Sequence, residues 1–227
     1  MRSREEIQQE FRRCAHLFDK IYFLHGKTDP RKGSKFPSEF HPGVDLWLAG
    51  VEGLQRTLEW ALGRVIYYEA CYLLTSEYLS KMRLNFWVEE WALLPYGIPL
   101  PFEFQKTPHH QLHSSDDIGL ILERAVAVQN RVLSIEKMHP GKWSLMFHGR
   151  VKKWLVNVEN IIRAAEWMLD KRSMDDAFYL ISDKSLGQLD SARSGGIVPY
   201  SSGAIRQVNT LVGMDIGAQD HKPEDFQ

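Results

Sequence analysis

The chain has few cysteines and no long apolar run. Its 227 residues include two cysteines, Cys14 and Cys71, too far apart in sequence for a Cys-x-x-Cys pair. This scarcity argues against a disulfide scaffold or a cysteine-rich zinc site, and it is typical of a reducing compartment. A membrane-spanning helix needs about 20 apolar residues. Glu69 and Glu77 interrupt the most apolar segment, and the charged N-terminus MRSREE has no apolar leader. We therefore predict a cytoplasmic protein without a membrane partner.

An excess of charge of either sign is also absent. Lys and Arg number 28 against 29 Asp and Glu, for a net charge of −1, and 44% of residues are hydrophobic. These values indicate an ordinary globular protein without an overall attraction for nucleic acid or membranes. The charges are nevertheless segregated, because residues 118–173 hold ten basic residues against five acidic ones. A local basic surface is therefore predicted within a neutral chain.

The hydrophobic spacing is mostly helical and predicts a mainly α fold with a short β element. Apolar residues recur every three or four positions in most of the chain. The pattern and its caps predict helices over residues 4–25, 44–62, 64–82 (where strand is the alternative), 118–138, 142–171 and 174–186. We interpret residues 1–186 as one mainly helical domain. Residues 187–227, rich in Gly, Ser and Asp, are interpreted as a loop-rich C-terminal tail.

The β element is predicted just before the second pair of helices. Apolar side chains alternate with polar residues or proline over residues 98–104 (IPLPFEF), which is the two-residue period of a strand. Pro99 and Pro101 cannot donate ladder hydrogen bonds, so the strand would lie at an edge. Two such strands from two chains can pair into a ribbon that fits the DNA major groove. Residues 98–171 are thus a candidate ribbon-helix-helix region embedded in a larger helical domain, and the chain a candidate homodimer.

This geometry selects candidate DNA contacts. The polar edge of the ribbon would present Glu103, Gln105, Lys106 and Thr107 to base edges, although a carboxylate there would also face phosphate. Basic side chains and the amides at the start of the following helix would hold phosphates. The candidate phosphate contacts are Ser114, Ser115, Arg124, Arg131, Lys142, Arg150, Lys152 and Lys153. The alternative is an ordinary edge strand on a helical domain with a solvated basic face.

Catalytic, metal and cofactor sites are not predicted. His109, His110 and His113 form a histidine-rich turn, but the acidic residues nearby, Asp116 and Asp117, are explained as helix caps. An exposed polar turn is the better interpretation, with a metal site or a pH-sensitive surface as alternatives. No recognised nucleophile motif is present, so nothing in the sequence supports an enzyme.

Two segments together resemble a known family. Residues 44–52 (VDLWLAGVE) and 98–108 (IPLPFEFQKTP), followed by a capped helix, resemble the AcaB-like proteins encoded by conjugative plasmids and integrating conjugative elements. The resemblance covers about residues 44–135. The chain departs from the pattern by Pro101, by an extra Phe-Glu pair, and by His109 and His110 where aromatic residues are expected. The resemblance implies a dimeric ribbon-helix-helix activator of transfer genes.

Two functional hypotheses follow. The first is a dimeric DNA-binding transcriptional regulator, whose partner is double-stranded DNA and whose affinity falls steeply with salt. The second is a helical interaction protein of a mobile element that does not bind DNA. In this case the Trp- and Tyr-rich middle of the chain would dock a protein partner, and the Gly/Ser tail would become ordered on contact.

Overall fold

The computed structural model describes residues 1–28, 33–75, 77–78, 100–103, 105–138 and 145–194. Over these ranges the chain is mainly helical, as predicted, and it contains no β-strand. The α-helices are α1 (Arg4–Leu24), α2 (His41–Ala61), α3 (Tyr67–Ala70), α4 (Ser115–Met138), α5 (Leu145–Met168), α6 (Met174–Ala177) and α7 (Asp183–Arg193). Short 3-10 turns cover Ser38–Phe40, Tyr72–Leu74 and Tyr179–Ile181.

Capping boxes fix the starts of the two outer helices. At α1 the Glu6 amide donates to Ser3 Oγ (3.2 Å), and the Ser3 amide donates to Glu6 Oε2 (2.8 Å). At α4 the Asp117 amide donates to Ser114 Oγ (3.1 Å), and the Ser114 amide donates to Asp117 Oδ2 (3.2 Å). Each box satisfies two amides that the first helical turn leaves without a partner.

The four long helices pack in the spatial order α1–α2–α5–α4. The α2–α5 contact is the most extensive, while α1 packs on α2 and α4 packs on α5. Four tryptophans, Trp47, Trp60, Trp154 and Trp167, are buried on the two central helices. Fully burying a large apolar side chain contributes roughly 1.5–3 kcal/mol, so these rings account for much of the stability of the α2–α5 layer.

The two central helices approach each other closely at Gly53. A Cβ atom on Gly53 would lie 2.5 Å from the Asn157 carbonyl oxygen, and one on Gly50 would lie 3.0 Å from Asn160 Nδ2. A side chain at Gly53 would therefore force the helices apart. The glycines of α2 thus make room for the two asparagines of α5.

The chain contains an internal duplication that the sequence-based predictions missed. Residues 41–78 align without a gap on residues 148–185, each residue in the second segment being numbered 107 higher. Both segments run through a long helix, a one-turn helix and a 3-10 turn. The identical pairs include Val44/Val151, Trp47/Trp154, Leu48/Leu155, Val51/Val158, Glu52/Glu159, Arg56/Arg163, Glu59/Glu166, Trp60/Trp167, Ala70/Ala177, Tyr72/Tyr179 and Leu73/Leu180.

Reciprocal contacts between the repeats show that a pseudo-two-fold relates them. Trp47 Nε1 donates to the Leu180 carbonyl (2.9 Å), and its equivalent Trp154 Nε1 donates to the Leu73 carbonyl (3.3 Å), the equivalent of Leu180. Contacts exchanged in this way are those of an isologous dimer. The α2–α5 interface is therefore organised like a dimer interface within one chain.

Contacts within each repeat are also duplicated. Arg56 donates from Nε to Glu52 (2.9 Å) and from an Nη to the Glu69 carbonyl (2.6 Å). Its equivalent, Arg163, bonds Glu159 (3.0 Å) and the Asp176 carbonyl (2.7 Å) in the same way. Each guanidinium also lies over a tyrosine ring of its own repeat. These arginines hold the one-turn helix against the long helix.

The outer helices extend the duplication, with an offset of 111 residues. The Arg2 amide donates to the Met168 carbonyl (2.8 Å), and the His113 amide donates to the equivalent Ala61 carbonyl (2.9 Å). Arg2 lies over the Trp167 ring, whereas His113 stacks on Trp60. We name residues 2–78 the first copy and residues 113–185 the second copy.

Three predicted segments differ from the structure. The predicted helix 64–82 is not continuous over its described part, where α3 is followed by the 3-10 turn at Tyr72–Leu74 and side chains of other segments bond the carbonyls of Glu69 and Leu73. Residues 76 and 79–82 lie outside the described ranges. The predicted helix 174–186 is divided in the same way into α6, a 3-10 turn and α7. The predicted tail is wrong for residues 187–193, which belong to α7. Residues 195–227 lie outside the described residues.

None of the helices in the described part of the chain has both the length and the apolar character needed to cross a bilayer.

Candidate functional site

The predicted ribbon does not form over residues 100–103 and 105–107, the part of it that the structure describes. Residues 101–103 make a turn, in which the Glu103 amide donates to the Leu100 carbonyl (2.8 Å). Phe102 packs between Trp60 and Tyr67, with ring centroids 4.9 and 5.3 Å away. The strand prediction is therefore wrong at residues 100–103: the apolar side chains are buried in a turn of the monomer. Residues 98, 99 and 104 lie outside the described ranges.

Glu103, the first candidate base contact, faces the interior. Its side chain is 3% exposed and forms an ion pair with Arg124 Nη1 (3.2 Å), which is 7% exposed. Its other oxygen accepts the Leu100 amide (3.2 Å). The expectation that Glu103 projects outward is wrong, because its carboxylate pins the 100–103 turn to α4. Arg124, a candidate phosphate contact, is buried with it.

The other candidate base contacts follow in an irregular segment. Gln105 is half-buried, and its amide donates to the Phe102 carbonyl (3.2 Å). Lys106 and Thr107 are exposed. The structure therefore places the four residues of the predicted reading edge in different environments. Contacts of Gln105, Lys106 and Thr107 with bases stay a prediction.

The remaining candidate phosphate contacts are dispersed. Ser114 and Ser115 are exposed at the start of α4, where Ser114 caps the helix beside Asp116 and Asp117. Arg131 is half-buried, and Lys142 lies outside the described residues. Arg150 and Lys153 are exposed in the early turns of α5, with half-buried Lys152 between them. We call these last three residues the basic turn of α5.

The histidine-rich turn forms an ordered hydrogen-bonded relay. The Gln111 amide donates to His109 Nδ1 (3.1 Å), so the proton of the neutral His109 ring is on Nε2. This Nε2 donates to His113 Nε2 (3.0 Å), and His113 Nδ1 donates to Asp117 Oδ2 (3.3 Å). His113 also stacks on Trp60, with ring centroids 3.9 Å apart. The relay ties the segment between the two copies to α2 and α4.

This relay is sensitive to protons. Burial lowers the pKa of His113, and the nearby His109 acts in the same direction, while the hydrogen bond to Asp117 opposes them. An extra proton on His113 Nε2 would face the N–H group of His109 that already points at it. Among the described residues, no three His, Cys, Asp or Glu side chains are grouped as a metal ion requires.

A second polar cluster lies at the end of α1 and contains Ser34, His25 and Asp45. His25 Nδ1 is 3.0 Å from Ser34 Oγ, and its Nε2 is 3.3 Å from Asp45 Oδ1. Although these are the residue types of a hydrolase triad, Ser34 Oγ accepts the Phe36 amide (3.0 Å), and Asp45 also pairs with Lys27 (3.1 Å). Burial lowers the pKa of His25. We interpret the cluster as a clamp that holds the segment after α1 against α2.

An aromatic surface at the end of α1 was not predicted. Phe23 is 57% exposed and Tyr22 is 36% exposed, and Tyr22 stacks on half-buried Phe18 with centroids 5.5 Å apart. We call Phe18, Tyr22 and Phe23 the aromatic end of α1. Phe18 and Tyr22 follow the apolar spacing of the predicted helix 4–25, which is typical of a core face, so periodicity gave no signal that this end is exposed.

Comparison of the two copies singles out this aromatic surface, because the second copy lacks these rings. The equivalents of Phe18, Tyr22 and Phe23 are Gln129, Leu133 and Ser134. The basic turn shows the opposite difference, since Arg150, Lys152 and Lys153 correspond to Gly43, Asp45 and Leu46. The copies thus share a buried framework and differ at these two surfaces. Surface residues that differ in this way between the copies are not required by the fold that the copies share.

Comparisons with known proteins give no further guidance: no family model matches the chain, and no curated protein or solved structure is significantly similar to it.

Proposed function

We propose that this protein is a helical binding protein that docks a protein partner on the aromatic end of α1. The single observation that carries this proposal is the exposure of Phe23 and Tyr22 beside Phe18, at positions where the second copy places Gln129, Leu133 and Ser134. Aromatic residues are enriched in the buried centres of protein interfaces. A fold that can be built without these rings has no structural need to expose them.

The aromatic end of α1 is a different docking surface from the one that the sequence suggested for a protein partner. The Trp- and Tyr-rich middle was the expected docking region, but Trp47, Trp60 and Tyr67 are buried in the core. The Trp47 hydrogen bond joins the two copies, and the rings of Trp60 and Tyr67 contact Phe102 of the 100–103 turn. The aromatic end of α1 supports the interaction hypothesis better, because its rings are accessible.

Sequence-specific reading of DNA by a paired ribbon has less support. The turn at residues 100–103 and the burial of Glu103 and Arg124 remove two of its candidate contacts. The homodimer, which was expected from pairing of the 98–107 strand, and the AcaB-like resemblance of residues 44–52 and 98–108 stay predictions.

Site-specific photo-crosslinking in cells tests the proposal. A photoreactive phenylalanine analogue replaces Phe23 in the full chain, and the matched control places it at Tyr68, an aromatic residue exposed to 39% on α3. We expect a protein adduct of one defined mass from position 23 only, and its loss when Tyr22→Gln is added. Identical adducts from both positions, or an adduct to nucleic acid alone, would contradict the proposal.

A further inference from the structure

The basic turn of α5 carries a second inference, independent of the aromatic end of α1. Arg150 and Lys153 are exposed and three residues apart on one helix, so their side chains lie on neighbouring positions of the same face. Arg150 lies near Tyr78, where its charge opposes the increase in the Tyr78 pKa caused by burial. A positive surface is therefore present at the end of the molecule where α5 begins.

The first copy shows that the fold does not need these charges. At the equivalent positions α2 has Gly43, Asp45 and Leu46, and it forms the same long helix with the same buried tryptophans. Asp45 pairs with Lys27 and His25, so the charge at this position is reversed between the copies. Leu46 is buried, whereas its equivalent Lys153 is exposed. Both differences make the second copy more positive at the same place.

We propose that the basic turn of α5 contacts the phosphodiester backbone of nucleic acid, without reading its sequence. Arginine and lysine side chains that contact phosphates release condensed counterions, which supplies most of non-specific affinity for DNA. Over residues 150–168 of α5, the part of the helix whose side chains are described, no large apolar side chain is exposed. Two exposed cations on one helix face suit a polyanion better than the core of a protein interface, which is depleted of lysine. The surface therefore differs in chemistry from the aromatic end of α1.

Fluorescence anisotropy of the full protein with a labelled random-sequence duplex tests this contact. The test variant R150Q/K153L removes two exposed charges and takes its leucine from the first copy. The control variant K171Q/K184Q removes two exposed lysines elsewhere in the second copy, so the net charge changes equally. Circular dichroism verifies that both variants keep the helical content of the parent.

The affinity of the protein for the duplex should decrease as the salt concentration rises. Two phosphate contacts make the affinity fall about 12-fold between 50 and 200 mM salt, and three make it fall about 40-fold. We expect the fall in duplex affinity over this salt range to be about 12-fold smaller for R150Q/K153L than for the parent. The control K171Q/K184Q should keep the salt dependence of the parent. Absence of binding by the parent at 50 mM, or equal losses in both variants, would overturn the proposal. Equally tight binding of poly-glutamate would overturn the assignment to phosphodiesters.

Discussion

Glu103 and Arg124 show at the residue scale how a polar side chain expected at a binding surface can instead stabilise the fold. Both side chains are almost fully buried, and they join the 100–103 turn to α4 through one ion pair. Removing one partner of a buried pair leaves a charge without compensation, which typically costs about 3–5 kcal/mol. Replacing both partners by apolar residues removes that penalty.

We therefore expect Glu103→Met to lower the free energy of unfolding by about 3 kcal/mol or more. The double variant E103M/R124M should lose less than the sum of the two single variants, since neither charge is then left alone in the core. Urea unfolding of the four proteins measures this coupling. Strictly additive losses would show that the pair makes no contribution of its own.

The His109–His113–Asp117 relay makes stability depend on pH. Burial lowers the pKa of His113 below its ordinary value, so the folded state binds fewer protons than the unfolded chain. The free energy of unfolding therefore falls as the pH decreases below about 6.5. His25 acts in the same direction, because burial also lowers its pKa.

His113→Phe should flatten this pH dependence while preserving the ring that stacks on Trp60. The decrease in the slope cannot exceed about 1.4 kcal/mol per pH unit, the limit for one proton. Thermal unfolding between pH 5 and pH 8, roughly the range in which histidine titrates, gives the slope. His16→Ala, on the exposed side of α1, is the control for loss of a surface imidazole. An unchanged slope in His113→Phe would exclude His113 as the titrating group.

At the element scale, the closest approach of α2 and α5 depends on Gly53. The Asn157 carbonyl belongs to the backbone of α5, so an added side chain cannot displace it by changing a rotamer. Gly119 offers a contrast within α4, because an added Cβ atom there has no neighbour within 4 Å. The two glycines therefore separate interhelical packing from helix propensity.

We expect Gly53→Ala to destabilise the protein by about 1–3 kcal/mol, the usual cost of overpacking a core. Gly119→Ala should stabilise it by about 0.5–1 kcal/mol, because alanine is the better helix former. Chemical denaturation of both variants measures the change in the free energy of unfolding and so separates overpacking from helix propensity. A shift in the same direction at both positions would mean that Gly53 does not set the separation of the helices.

Elements with uninterrupted helical periodicity were predictable from the sequence. The predicted helices over 4–25, 44–62 and 118–138 are confirmed by α1, α2 and α4, since apolar spacing acts locally in all three and side-chain caps begin α1 and α4. The turn at residues 100–103 was not predictable, because the burial of Phe102 and Glu103 depends on contacts with Trp60 and Arg124, which are distant from it in sequence. An alternating apolar pattern fits a turn buried by such neighbours as well as it fits a strand.

At the scale of the whole molecule, the information that sequence reasoning missed was itself in the sequence. The constant spacing of 107 residues between Trp47 and Trp154, and between Trp60 and Trp167, is visible in the amino-acid sequence itself. Periodicity evaluates each segment alone, so it assigned both helices correctly but did not relate them. The candidate surfaces depend on that relation, because only the comparison of the two copies separates residues the fold requires from residues it does not.

The pseudo-two-fold predicts which combinations of substitutions the α2–α5 interface tolerates. Gly50 faces Asn160 and Gly53 faces Asn157, and the duplication exchanges these two pairs. Placing asparagine on α2 alone, in G50N/G53N, crowds an interface that already holds two asparagines. We expect the two substitutions together to lower the free energy of unfolding by about 2–6 kcal/mol, the cost of overpacking at two positions.

Exchanging the residues between the copies should reverse much of this loss. In G50N/G53N/N157G/N160G each asparagine again faces a glycine, and the Leu180 side chain, which lies 2.5 Å from an added Cβ atom at position 50, has to move aside. The control N157G/N160G measures the cost of two glycines in α5, about 1 kcal/mol each. We expect urea unfolding to show the fourfold variant more stable than G50N/G53N, a result that independent packing of the two helices does not produce. A fourfold variant that loses the sum of both double variants would show that the symmetry does not extend to the packing of the core.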